Sequence, residues 1–159
     1  MKMSKKDAFT LTEILVAIVI LGVMAGLAIP NFGRTMRQAE SNEARANLNV
    51  IFMAQRIFFL NNNACWPLGG GAVTMATSAD NVNLTAINTG LSTEMTTARY
   101  RLIVTSTAGV GMGANFTADA LLDNAGGKIF HVSRQPTVFG GTTYPGGTIY
   151  PPDGEGTYD

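Results

Sequence analysis

Cysteine, histidine and lysine are almost missing from this chain of 159 residues, and each shortage closes off a kind of chemistry. Cys65 is the only cysteine, so no intrachain disulfide can form, and neither a CxxC pair nor a haem-attachment motif is present. Beside Trp66 and Pro67 it reads as a small buried apolar residue, with intermolecular pairing or a reactive thiol as the alternative. His131 is the only histidine, set in a strand-like run. A general base or metal ligand needs partners, and a lone strand histidine reads as structural. Beyond the first six residues Lys128 is the sole lysine, so the clusters Gly69 to Gly71 and Gly109 to Gly113 lack the lysine, and the spacing, of a phosphate loop. No enzyme and no cofactor are expected. Charged side chains are 14% of the chain and balance to a net charge of zero, which indicates no bulk attraction for nucleic acid.

What is abundant is apolar surface at one end. FTLTEILVAIVILGVMAGLAIP, from Phe9 to Pro30, carries one formal charge, Glu13. As a helix it extends about 31 Å, the thickness of a bilayer core, and in lipid the helix is enforced despite Gly22 and Gly26. A carboxylate a few residues inside hydrocarbon is costly. Glu13 is therefore either protonated or snorkelling at the interface, or it meets a partner from another molecule, since nothing basic lies in the segment. The basic head with Lys2, Lys5 and Lys6 also opens secretory signals. Here, however, the apolar run passes into IPNFGR and an amphipathic pattern rather than a cleavage site, so loss of the whole stretch is not expected. Arg34, Arg37 and Arg45 follow the segment, so the charge bias across it is weak and does not set its orientation.

Ala8, Phe9, Thr10, Leu11, Thr12 and Glu13, followed by the apolar run and Pro30, resemble the class III leader and N-terminus of type IV pilins and pseudopilins. The resemblance implies a leader of residues 1–8, cut by a prepilin peptidase between Ala8 and Phe9, and methylation of the new amino group of Phe9. Ala8 stands where the family usually has Gly. Counted from Phe9, Glu13 is the fifth residue and Pro30 the twenty-second, matching the family pattern. Glu13 acquires an assembly role: it would pair with the amino group of Phe9 on a neighbouring subunit, two costly charges cancelling at one depth. The implied partners are further copies in a helical filament, the inner membrane, the prepilin peptidase and an assembly machinery. The implied location is the inner membrane, with the leader cytoplasmic, and then the filament. Without residues 1–8 the chain keeps eight basic and ten acidic side chains, a net charge of about −2.

The remainder has room for one small domain. Ala44, Leu48, Ile51, Ala54 and Phe58 share one helical face, which predicts a single helix from Phe9 to about Leu60. A bend or local break is expected near Pro30 and Gly33, and Asn61 to Asn63 end the helix. Residues 64–98 read as a connection holding a short helix capped by Asn83, with Leu84, Ile87 and Leu91 on one side. Alternation predicts strands at Tyr100 to Ser106, Asn115 to Leu122 and Lys128 to Ser133, with Thr137 to Gly140 a short fourth. The fold class is thus α+β and pilin-like. A long N-terminal helix, membrane-spanning over 9–30 and amphipathic beyond, packs on an antiparallel sheet of three to four strands in a head over 31–159. From about residue 141 the Gly/Pro-rich tail reads as irregular. Asp153, Glu155 and Asp159 are candidate calcium ligands set against a simply solvated acidic tail, because the loop pattern of calcium-binding major pseudopilins is not recognisable.

Three functions fit. The first is a structural subunit of a type IV pilus, with Glu13 favouring the filament body over its tip. The second is a pseudopilin of a secretion or DNA-uptake apparatus. The third, of another class, is an unpolymerised membrane-tethered module that binds a ligand through its Gly/Tyr-rich tail.

Overall fold

The computed structural model describes residues 9–96, 99–122, 129–139 and 142–150, apart from the side chains of 27–31, 34, 129 and 139. Two compact units divide between Arg37 and Gln38. The first helix, α1 (Leu11–Asn62), runs through both and passes Pro30 and Gly33 unbroken, so of the bend or local break expected there the break does not occur. The side chain of Pro30 lies outside the described residues.

In the second unit α1 supplies the face that its periodicity predicts. Ala44, Leu48 and Ile51 are fully buried, Ala54 nearly so, and Phe58 packs against the same cluster. Burying a Leu or Ile contributes roughly 1.5 to 3 kcal/mol, which is how a helix with no intrinsic reason to stay ordered in water is held. The fully buried Gln55 shares this part of the helix, its carboxamide taking up the peptide groups of Trp66. Asn47 reaches the Tyr100 hydroxyl and, at 2.9 Å, the Thr96 carbonyl. Burial, with Glu43 nearby, pushes the Tyr100 phenol well above its ordinary range.

The sheet has four antiparallel strands in chain order: β1 (Gly71–Thr74), β2 (Tyr100–Ser106), β3 (Phe116–Leu122) and β4 (Ile129–Ser133). Alternation puts Tyr100, Leu102 and Val104 of β2 and Phe116, Ala118, Ala120 and Leu122 of β3 inside. Leu102 faces Ala120 and Val104 faces Ala118, so each large side chain lies beside a small one beneath the helix.

Three expectations change. The fourth strand of this sheet is β1, drawn from the stretch read as a connection. GAVT has no alternating apolar pattern and joins through its backbone along the edge of β2, from Gly71 opposite Ser106 to Thr74 opposite Ile103. Thr137 does open a strand, but β5 (Thr137–Phe139) pairs with β6 (Thr142–Tyr144) in a separate hairpin, which also makes the tail less irregular than its composition suggests. Further along, Tyr150 bridges to His131 of β4 through both backbone groups. Finally, α2 (Asn81–Leu91) buries Leu84, Ile87 and Leu91 as expected, but its cap is Asp80. Asp80 accepts the Asn83 N–H at 3.2 Å and also holds the Ala76 N–H and the Asn83 amide, while Asn83 lies inside the helix.

Candidate assembly site

In the first unit the helix presents apolar side chains all round. Leu11, Ile14, Leu15, Val16, Ile18, Val19, Ile20, Leu21, Val23 and Met24 are each at least half exposed, and Phe9 is 79% exposed. A helix apolar on every side needs lipid or other protein around it. Among the described residues no helix is long and apolar enough to cross a membrane. The described side chains of the stretch stop at Gly26, whereas the sequence stays apolar through Leu27, Ala28 and Ile29.

Thr10 and Glu13 open this helix as a reciprocal cap. The Thr10 hydroxyl accepts the Glu13 N–H at 3.3 Å, and Glu13 Oε2 accepts the Thr10 N–H and the Thr10 hydroxyl, both at 3.1 Å. Two of the amide donors that every helix start leaves unpaired are thereby satisfied. Glu13 thus has a partner within its own chain that consideration of its charge alone overlooks, although T-x-x-E before an apolar run is its sequence signature. Glu13 Oε1 has no hydrogen-bond partner among the described residues. Phe9 lies one residue before the cap, on the exposed end. Ala8 and the calcium candidates Asp153, Glu155 and Asp159 lie outside the described residues.

The residues weighed for catalysis do not come together as a site. Cys65 is buried with Ala114 and Phe116, and burial pushes its thiol up, opposed by the neighbouring Arg134. His131 instead pairs through Nδ1 with Asp119, its neighbour across the β3–β4 ladder, and its ring lies 5.3 Å from that of Tyr150, which stacks on Tyr144 at 4.0 Å. The histidine is therefore not alone, but what it joins is a patch that fastens the C-terminal segment to β4. Burial raises the Tyr150 phenol, opposed by a hydrogen bond with Thr137 and helped by the Asp119 charge. Nothing in the Gly/Pro-rich composition signals this patch beyond the spacing of its tyrosines. Among the described residues no group of three or more His, Cys, Asp or Glu side chains could hold a metal.

A long helix with an apolar, capped beginning, whose later part packs on a four-stranded antiparallel sheet, defines an α+β protein. Residues 3–29 match the family model described as the prokaryotic N-terminal methylation motif, and the chain carries that motif. It is similar to the type IV major pilin protein PilA of Myxococcus xanthus, 39% identical over 55 residues, which are 35% of this chain and 25% of that protein. It is also similar to type II secretion system core protein G of Aeromonas hydrophila, 33% identical over 63 residues (40% of this chain, 44% of that protein). Core protein G of Escherichia coli is 36% identical over 59 residues, 37% of this chain and 41% of that protein. The chain thus spans between a quarter and less than half of the length of these relatives. No solved structure matches it.

Proposed function

We propose that this protein is a structural subunit of a type IV pilus or related filament, cut between Ala8 and Phe9, methylated on Phe9 and assembled through residues 9–30. The observation that carries the proposal is the exposed apolar surface of residues 11–24, behind a start that displays Glu13 to its surroundings. Such a surface is satisfied by lipid before assembly and by copies of itself afterwards, so transfer forfeits little apolar contact. The subunit accordingly waits in the inner membrane, the leader on the cytoplasmic side, and a bend at Pro30 would let the later part of the helix leave the bilayer at its own angle. Prepilin peptidase and an ATP-driven assembly machinery are its partners, and its role is structural rather than catalytic.

Within the filament, Glu13 neutralises the amino group of Phe9 on a neighbouring copy. Leaving one member of such a pair alone in low dielectric costs on the order of 3 to 5 kcal/mol, so the contact selects a single register for an incoming subunit. A pseudopilin of a secretion apparatus is the second reading. It is favoured by the matches to core protein G, which cover 44% of the Aeromonas relative against 25% of the Myxococcus pilin.

The test is mass spectrometry of the chain recovered from membranes and from sheared filaments. Both proposals expect an N-terminal methylated Phe9, with the filament fraction enriched in the protein. Intact residues 1–8 in membranes and no protein in the sheared fraction would instead identify an unpolymerised tethered module.

A further inference from the structure

Near the end of α1, on the second unit, a pocket of about 430 Å³ opens between the helix and the β3–β4 side of the sheet. Its walls are the rings of Phe52, Phe59 and Phe116, and two guanidinium groups, those of Arg56 and Arg134, stand among them. Arg134 lies 3.8 Å from the centre of the Phe59 ring, and Arg56 lies 6.0 Å from that of Phe52. One nitrogen of Arg134 donates to the carbonyls of Gly111 and Ala114, which fixes the group in place without cancelling its charge. The turn after β6 presses on the same residue: a Cβ on Gly146 would come within 2.1 Å of the Arg134 carbonyl oxygen. Among the described residues neither Arg56 nor Arg134 is paired with a carboxylate.

Two unpaired cations in an aromatic-walled recess are unusual in a chain that carries few cations. Guanidinium prefers a carboxylate held in its plane, and phenyl walls prefer an aromatic or apolar body, so the pocket's chemistry is that of a carboxylate close to a ring. This chain contains such a segment. Beyond Arg134 it has no basic residue at all, and its last seven residues, DGEGTYD, combine Asp153, Glu155 and Asp159 with Tyr158.

We infer that the Arg56–Arg134 pocket receives the acidic segment 153–159 of a second copy, joining the heads of neighbouring subunits. The described run from Gly147, bonded to Ser133, to Tyr150, bonded to His131, leads along β4 away from Arg134. The inference rests on the filament reading only for its setting, because a second copy must come near. The contact itself is measurable on the unassembled protein.

The experiment titrates the synthetic peptide PPDGEGTYD, residues 151–159, into two purified full-length chains in detergent micelles and follows binding by calorimetry. One chain is native; the other carries Asp153→Asn, Glu155→Gln and Asp159→Asn, so that its own segment cannot compete. The expected result is saturable, salt-weakened binding to both chains. It should fall about tenfold with Arg56→Gln in the chain, and equally when the peptide's acids are replaced by amides, as for loss of a charge-assisted contact. Arg56 is exposed and serves this comparison better than Arg134, which also holds two carbonyls. No saturable binding to the neutralised chain overturns the inference, and so does binding indifferent to both changes. Binding to the neutralised chain alone assigns the pocket to the chain's own segment and overturns the contact between copies. Peptide binding together with normal filaments from a Glu13→Gln subunit would remove the assembly role of Glu13 while leaving the pocket's chemistry standing.

Discussion

Thr10 and Glu13 hold each other at the first turn of α1, each side chain accepting the other's backbone N–H at 3.1 to 3.3 Å. The same carboxylate is the one whose charge the assembly proposal uses. A loss of function on deleting the Glu13 side chain would therefore confound two effects, a weakened helix start and a missing counter-charge. Glutamine separates them, because it serves the third helical position of such a cap as glutamate does while carrying no charge.

Gln55→Leu is expected to destabilise the second unit by on the order of 2 kcal/mol. The fully buried carboxamide donates to the Trp66 carbonyl at 2.6 Å and accepts the Trp66 N–H at 3.0 Å, and leucine of similar size leaves both peptide groups unpaired. Urea unfolding followed by circular dichroism measures this. A change of a few tenths of a kcal/mol would show that solvent replaces the carboxamide there.

Gly90→Ala is expected to cost about 1 to 3 kcal/mol, although alanine is the better helix former. A Cβ at this position would sit 2.2 Å from the Trp66 indole, so the ring or α2 must move. Propensity and packing predict opposite signs, and the unfolding midpoint decides between them.

The cap of α2 makes an acid-sensitive contribution. The Asn83 side chain first, and then the Ala76 N–H, hold the Asp80 carboxyl below its ordinary value of 3.8. A carboxyl whose folded pKa is depressed contributes stability that is present above the unfolded value and is lost as pH falls through the folded one. Stability should thus decline as pH drops below about 3.8 in the native chain, and the decline should be shallower in Asp80→Asn. Thermal unfolding from pH 6 to pH 2 compares them; parallel curves would mean that the cap is not linked to protonation.

Much of this architecture is legible in the sequence, and the parts that are not have physical reasons. The strand at Tyr100 to Ser106 is read with its boundaries because β2 buries every second side chain, and the face from Ala44 to Ala54 because one stripe of α1 does the same at helical spacing. β1 is not legible, since an edge strand held by backbone pairing needs no apolar alternation. The α2 cap is misassigned by three residues where Asp80, Asn81 and Asn83 crowd together, all good capping types, and only the bond to the Asn83 N–H chooses among them. At the candidate assembly site the charge of Glu13 is conspicuous and its cap is hidden behind it. The Arg56–Arg134 pocket joins residues 78 positions apart, beyond the reach of any local pattern.

Whether Glu13 provides a counter-charge for assembly is decided by the yield of sheared filaments from cells whose only copy of the subunit is Glu13→Gln. The cap survives this change, and a neutral amide is easier to bury in lipid than a carboxylate, so leader cleavage and membrane levels should be close to normal. Each incoming subunit, however, now brings the Phe9 amino group to a site without its counter-charge, at a penalty on the order of 3 to 5 kcal/mol that recurs at every addition. The expected result is a processed, abundant subunit with filaments reduced at least about tenfold. Filaments at native yield from the Glu13→Gln subunit would contradict it and leave Glu13 as a helix cap alone.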